Sequence, residues 1–156
     1  MDDIKQLTRS DFDNWSIQKK DLHEYRPYEI DENWDPIIDK KWKPIPRKPI
    51  KEWEIWWCRL GVNVGQEIFG KWAQYTRPVL IIKKISWFAC LVIPSTSEKK
   101  IGTWFYPLTI QGTQSYLIFP QIRHISTTQF TDKISELPES EFQKIKKAAW
   151  KFYGFT

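Results

Sequence analysis

Tyr75-Thr76-Arg77-Pro78-Val79-Leu80-Ile81-Ile82 is the stretch on which the reading of this chain turns. An apolar, β-branched run of this length reads as a buried strand. Pro78 has no N–H to give to a ladder, so it belongs at a strand start or edge. Arg77 is then placed at a strand mouth, where a rigid element can aim its guanidinium. An arginine there either snorkels to solvent or holds an anion.

The 156 residues suffice for one domain with a core and an appendage. Aromatic residues make up 16% of the chain, ten of them Trp, so the core is expected to rest on a few large side chains. The net charge of +5 favours an anionic partner. It is unevenly spread. Residues 1–50 hold 10 Lys/Arg against 11 Asp/Glu, and residues 51–156 hold 14 against 8, a net +6. The anion is therefore expected on the second part. Cys58 and Cys90 each sit in an apolar run and read as buried free thiols of a reducing compartment. There is no CxxC, HExxH or Cys/His cluster, so neither metal nor cofactor is expected. The charged first 25 residues do not read as a signal peptide, and no apolar run has the length of a membrane span. The expected setting is the cytoplasm.

Three regions follow from the pattern. Residues 1–25 form a helical extension, with Ser10 and Asp13 expected as its capping pair and Phe12, Trp15 and Leu22 as its apolar stripe. Residues 26–52 form a Pro-rich strap in which Lys-Trp-Lys-Pro-Ile-Pro-Arg-Lys-Pro-Ile favours an extended path. Trp34 and Trp42 could pin the strap, and Lys40, Lys41, Lys43, Arg47 and Lys48 could track a nucleic-acid backbone. Residues 53–156 form the body. Strands are expected at 54–60, 76–83, 87–93, 101–110 and 115–119, with a short apolar piece at 122–125. The third is expected to end at Pro94-Ser95-Thr96-Ser97. Residues 61–75 form a long loop, a length that usually signals function. A helix from 139 to 153 closes the chain, buried through Phe142, Ile145, Ala149 and Phe152 and capped by Gly154. Short strands at this spacing suggest a small barrel or sandwich.

Five motifs carry a family resemblance: Glu54-Ile55-Trp56-Trp57, Gly61-Val62-Asn63-Val64-Gly65-Gln66-Glu67, Thr76-Arg77-Pro78-Val79-Leu80-Ile81, Val92-Ile93-Pro94-Ser95-Thr96 and Gln121-Ile122-Arg123. In this order and spacing, residues 53–153 resemble the PemK/MazF toxins of type II toxin–antitoxin systems. The resemblance implies a mainly β fold, a small SH3-like barrel with a C-terminal helix, here extended by the N-terminal helix and strap. It implies a homodimer and a metal-independent endoribonuclease that cuts single-stranded RNA. It also implies an acidic antitoxin that blocks the RNA groove. Arg77 and Thr96 match the family's active-site pair. Gln66, Glu67, Lys71, Ser95, Ser97, Gln121 and Arg123 are the expected RNA contacts.

The chemistry is consistent with these residue types. RNA supplies its own nucleophile, the 2′-hydroxyl, so the enzyme must position it, move protons and stabilise charge at phosphorus. Arg fits phosphate oxygens bidentately and stays charged. Thr96 can donate its hydroxyl to a phosphate oxygen. Where family members often hold a carboxylate and an Arg, this chain has Pro120 and Ile118, so that route for the proton does not carry over. Glu67 and His124 are the candidates left. Two other functions fit the same pattern. One is a non-catalytic nucleic-acid-binding barrel. The other is a gyrase-poisoning toxin anchored by Trp150-Lys151-Phe152-Tyr153.

Overall fold

A computed structural model describes residues 7–24, 32, 50–86 and 88–155. The strap expected over 26–52, with Trp34, Trp42 and its lysines, lies almost wholly outside the described residues. Among the described residues two α-helices, α1 (Arg9–Glu24) and α2 (Glu139–Phe152), flank seven strands. These are β1 (Glu54–Arg59), β2 (Thr76–Lys84), β3 (Ala89–Thr96), β4 (Phe105–Ile110), β5 (Thr113–Ile118), β6 (Arg123–Ser126) and β7 (Phe130–Glu136).

The strands form one antiparallel sheet in the order β4-β5-β3-β2-β1-β7, with β6 also on β3. Register shifts interrupt the β1–β7 pairing at Ile55/Trp56 and Trp56/Cys58, and the β2–β3 pairing at Ile81/Lys83. Bulges of this kind add local twist and curl a sheet toward a barrel. Gln111 and Gly112, both at positive φ, close the β4–β5 hairpin in two residues.

Alternation along the strands sorts the core into two layers. Trp56, Cys58, Val79, Ile81, Cys90, Val92, Ile125 and Phe130 cluster on one face. Ile55, Leu80, Ile93, Leu117 and Phe119 lie on the other, beneath Phe142, Ile145 and Ala149 of α2. Phe152 packs against this second layer while remaining partly exposed. The end of α2 is a Schellman turn. The Phe155 N–H donates to Trp150 O at 3.1 Å and the Gly154 N–H to Lys151 O at 3.1 Å, with Gly154 at φ 77. Both cysteines are free and buried, and burial pushes the Cys90 thiol up to about 11.

Several expectations need correction. β3 does not stop before Pro94 but runs through it to Thr96. One edge of β3 pairs with β6 up to Val92 and with β5 from Ser95, so the missing N–H of Pro94 falls where partners change. The fourth strand begins at Phe105 rather than Ile101. β7 had no clear sequence signal, because Thr131, Asp132, Lys133, Ser135 and Glu136 hide the alternation. On α1 the capping pair is Thr8 and Asp11. The Thr8 N–H donates to Asp11 Oδ2 at 2.8 Å and the Asp11 N–H to Thr8 Oγ1 at 3.3 Å. Trp15 is buried and Leu22 packs beside it, but Phe12 is 42% exposed and falls outside the stripe.

A buried carboxylate ties β1 to β7. Glu54 Oε2 accepts from the Lys51 N–H and the Trp56 indole, each at 2.9 Å, while Oε1 pairs with Lys133 Nζ at 2.9 Å. Burial alone would raise this carboxyl, but the hydrogen bonds from Lys51, Trp56 and Lys133 outweigh it and hold it below the usual carboxylate range. The resulting stability is fully present above the pKa of an unfolded carboxyl and is lost as pH falls through the lower folded value. Glu54→Gln is therefore expected to lower unfolding free energy by about 2–3 kcal/mol near neutral pH. In urea melts its deficit against the wild type should shrink as pH drops from about 6 to about 3. A deficit independent of pH would contradict this account.

Candidate functional site

The first residues of β2 and the last of β3 meet at one end of the sheet. Val79 lies opposite Pro94, and the same register carried two residues further sets Arg77 beside Thr96. Arg77 shares its face with Val79 and Cys58, so its guanidinium sits at the mouth of the first core layer. It is 7% exposed and Thr96 is 6% exposed. Both are therefore held largely within the protein, at its rim.

Main-chain carbonyls orient the guanidinium. Arg77 Nε donates to Phe69 O at 2.9 Å, and Nη1 donates to Ser95 O at 3.1 Å. Nη2 has no hydrogen-bond acceptor among the described residues. Burial pushes Arg77 down to about 10, opposed by the negative charge of Glu98, so it stays cationic at neutral pH. Thr96 Oγ1 accepts from the Glu98 N–H at 3.2 Å, which leaves its own O–H to donate. Ser95 Oγ donates to Pro78 O at 2.9 Å, bracing β3 against β2.

The loop 61–75 folds over this end through two close backbone approaches. The Gly61 N–H donates to Tyr75 O at 3.2 Å, and the Gly70 N–H to Gly61 O at 2.9 Å. A Cβ on residue 70 would lie 1.5 Å from Tyr75 O, so only glycine fits. Lys71 and Thr76 exchange both backbone bonds, at 2.8 and 2.9 Å, and set Lys71 beside the strand mouth. Gln121 staples the loop from the other side. Its Oε1 accepts from the Ile68 N–H at 3.1 Å and its Nε2 donates to Gln66 O at 3.0 Å.

A family model for "PemK-like, MazF-like toxin of type II toxin-antitoxin system" matches residues 51–152. The chain belongs to this toxin family. No curated protein matches its sequence. Among solved structures, MazF from Deinococcus radiodurans is 15% identical with a TM-score of 0.55, the match covering 72% of this chain and 99% of that one. An endoribonuclease in complex with its cognate antitoxin, from a Mycobacterial species, is 14% identical with a TM-score of 0.53, covering 72% and 98%. Mycobacterium tuberculosis toxin MazF-mt6 is 15% identical with a TM-score of 0.52, covering 66% and 98%. These likenesses carry the fold. Helix α1 lies outside the matched residues.

In this toxin the residues singled out from sequence fall into groups. Arg77, Ser95 and Thr96 are adjacent, and Lys71 reaches them through Thr76. Ser97 is exposed directly after Thr96. Gln66 and Gln121 are bonded to each other, and Glu67 is exposed on the loop. Arg123 lies opposite Val92, on the same face as Arg77 but further along the sheet, where its charge reaches Cys58. His124 lies opposite Leu91, on the other face, away from the guanidinium. In the C-terminal aromatic run, Tyr153 Oη donates to Phe119 O and Phe152 packs on the core, while Trp150 is exposed. The Phe69 carbonyl and Glu98 were not legible in the sequence. A main-chain acceptor has no residue signature, and Glu98 lies in a charged turn like many others.

The buried guanidinium is expected to titrate. In 13C NMR of specifically labelled arginine, the Arg77 Cζ resonance should shift with a midpoint of about 10. A resonance unmoved through about pH 11 would contradict the burial argument.

Proposed function

We propose that this toxin cleaves single-stranded RNA without a metal ion, by attack of a 2′-hydroxyl on the adjacent phosphorus. The observation that carries the reading is the pairing of a fixed guanidinium with a hydroxyl on the neighbouring strand. Nη2 of Arg77, from which no described residue accepts, and the O–H of Thr96, whose oxygen already accepts from the Glu98 N–H, are the two donors we assign to the phosphate oxygens. Their task is to stabilise the charge that builds as phosphorus becomes five-coordinate. Because Arg77 is held by carbonyls before substrate arrives, little reorganisation accompanies the reaction.

In this mechanism the 2′-oxygen bonds to phosphorus and the 5′-oxygen leaves. The products are a 2′,3′-cyclic phosphate and a 5′-hydroxyl end. We assign receipt of the 2′-hydroxyl proton to the side-chain carboxylate of Glu98, a residue whose backbone N–H donates to Thr96 Oγ1 and whose charge acts on Arg77. The leaving oxygen takes its proton from water. Lys71, Ser97, Gln66, Glu67 and Arg123 are the proposed contacts along the rest of the strand. Gln121, with both ends of its amide bonded to the loop, shapes the surface that RNA meets. The net +6 of residues 51–156 suits RNA and equally an acidic antitoxin, which would compete for the same surface. A homodimer of the barrel completes the proposal.

The test is cleavage of single-stranded RNA in EDTA by the purified full chain. Arg77→Ala is expected to reduce the rate by at least about 10³-fold with the fold retained by circular dichroism. Glu98→Gln is expected to reduce it by about 10²-fold. Activity that survives Arg77→Ala, or that needs added metal, would overturn the mechanism. Salt-sensitive RNA retention without cyclic-phosphate product would favour a binding-only barrel instead.

A further inference from the structure

Helix α1 docks on the two ends of the loop that holds Arg77. Trp15, 9% exposed, covers Gly61 so closely that a Cβ there would sit 2.0 Å from its indole Cε2, and Gly61 itself is at φ 79. The indole meets the Tyr75 ring edge-on at 6.0 Å between centroids. Tyr75 is 3% exposed, holds φ 52, and donates its phenol proton to Asp11 Oδ1 at 3.1 Å. Gln18 Nε2 donates to Ala73 O at 2.9 Å. Every one of these contacts falls on residue 61, 73 or 75.

Two short routes lead from there to the guanidinium. The first is along the chain, since Tyr75 precedes Arg77 by two residues and holds a backbone conformation that a non-glycine residue rarely keeps unaided. The second crosses the loop. Tyr75 O holds the Gly61 N–H, Gly61 O holds the Gly70 N–H, and the preceding carbonyl, that of Phe69, accepts from Arg77 Nε. A loop of this length is not rigid unless something orders it.

We infer that α1 is a positioning element for Arg77: Trp15 and Asp11 lock Tyr75 and Gly61, and thereby fix the Phe69 carbonyl that aims the guanidinium. The catalytic consequence rests on the ribonuclease reading above; the geometric one does not. A helix outside the family-matched barrel thus sets the geometry of an arginine inside it.

Two measurements on the full chain test this, with Trp15→Ala, Trp15→Phe and Tyr75→Phe beside the wild type. The first is exchange of the Arg77 Nε–H with water by 15N NMR, the resonance being identified by its loss in Arg77→Lys. Trp15→Ala is expected to speed exchange by about 10-fold or more, with Tyr75→Phe intermediate and Trp15→Phe near wild type. The second is single-turnover cleavage at saturating RNA. Trp15→Ala should slow it by about 10- to 100-fold while RNA affinity changes by less than about 3-fold. Should Trp15→Ala fail to fold, Tyr75→Phe, which removes only the hydroxyl, carries both measurements. Unchanged exchange in a folded variant overturns the inference, as does faster cleavage, which would make α1 a cover. Faster exchange in Trp15→Ala, with a wild type that cuts no RNA, would instead sustain the positioning role and refute the ribonuclease reading.

Discussion

A cation placed in the interior rim of a protein must find oxygen. Arg77 finds it in two neutral carbonyls, from a loop and from the next strand, rather than in a carboxylate. The difference matters. A carboxylate partner would neutralise the charge, and a phosphate would then have to displace it. Carbonyl dipoles orient the guanidinium and leave its formal charge uncompensated, and the neighbouring Glu98 only moderates it. Much of the local architecture follows from keeping those two carbonyls in place. Gly70 permits the loop's close approach, Gln121 braces the loop from below, and Ser95 ties its own strand to Pro78.

The strand at 76–84 and the helix at 139–152 were legible because their side chains obey simple periodicities, and the burial of Val79, Leu80, Ile81, Phe142 and Ile145 follows. Where β3 ends was not legible, since a proline usually marks a boundary. Here the strand passes through Pro94 because two different partners share one edge. β7 carries no readable alternation because the charged residues Asp132, Lys133 and Glu136 fall on both of its faces. Helical spacing groups Phe12 with Trp15 and Leu22 but cannot say which half of the helix meets the body, and Phe12 is exposed.

The site divides along the same line. Arg77 and Thr96 could be named from flanking motifs, and the fold places them side by side. What aims them could not be named, because hydrogen bonds from side chains to distant carbonyls leave no trace in residue type. Gln121 makes the point. Its sequence context suggests a surface amide, yet both ends of that amide are bonded to main chain more than fifty residues away.

The contact between residue 70 and Tyr75 O carries a consequence for the history of such chains. A side chain cannot be accommodated at residue 70 whatever the protein does. Descendants that had abandoned chemistry and kept only the shape would still retain glycine there, while the arginine seven positions later would be free to drift. Retention at the first position alone is therefore a record of architecture, and only joint retention at both would speak for selection on activity.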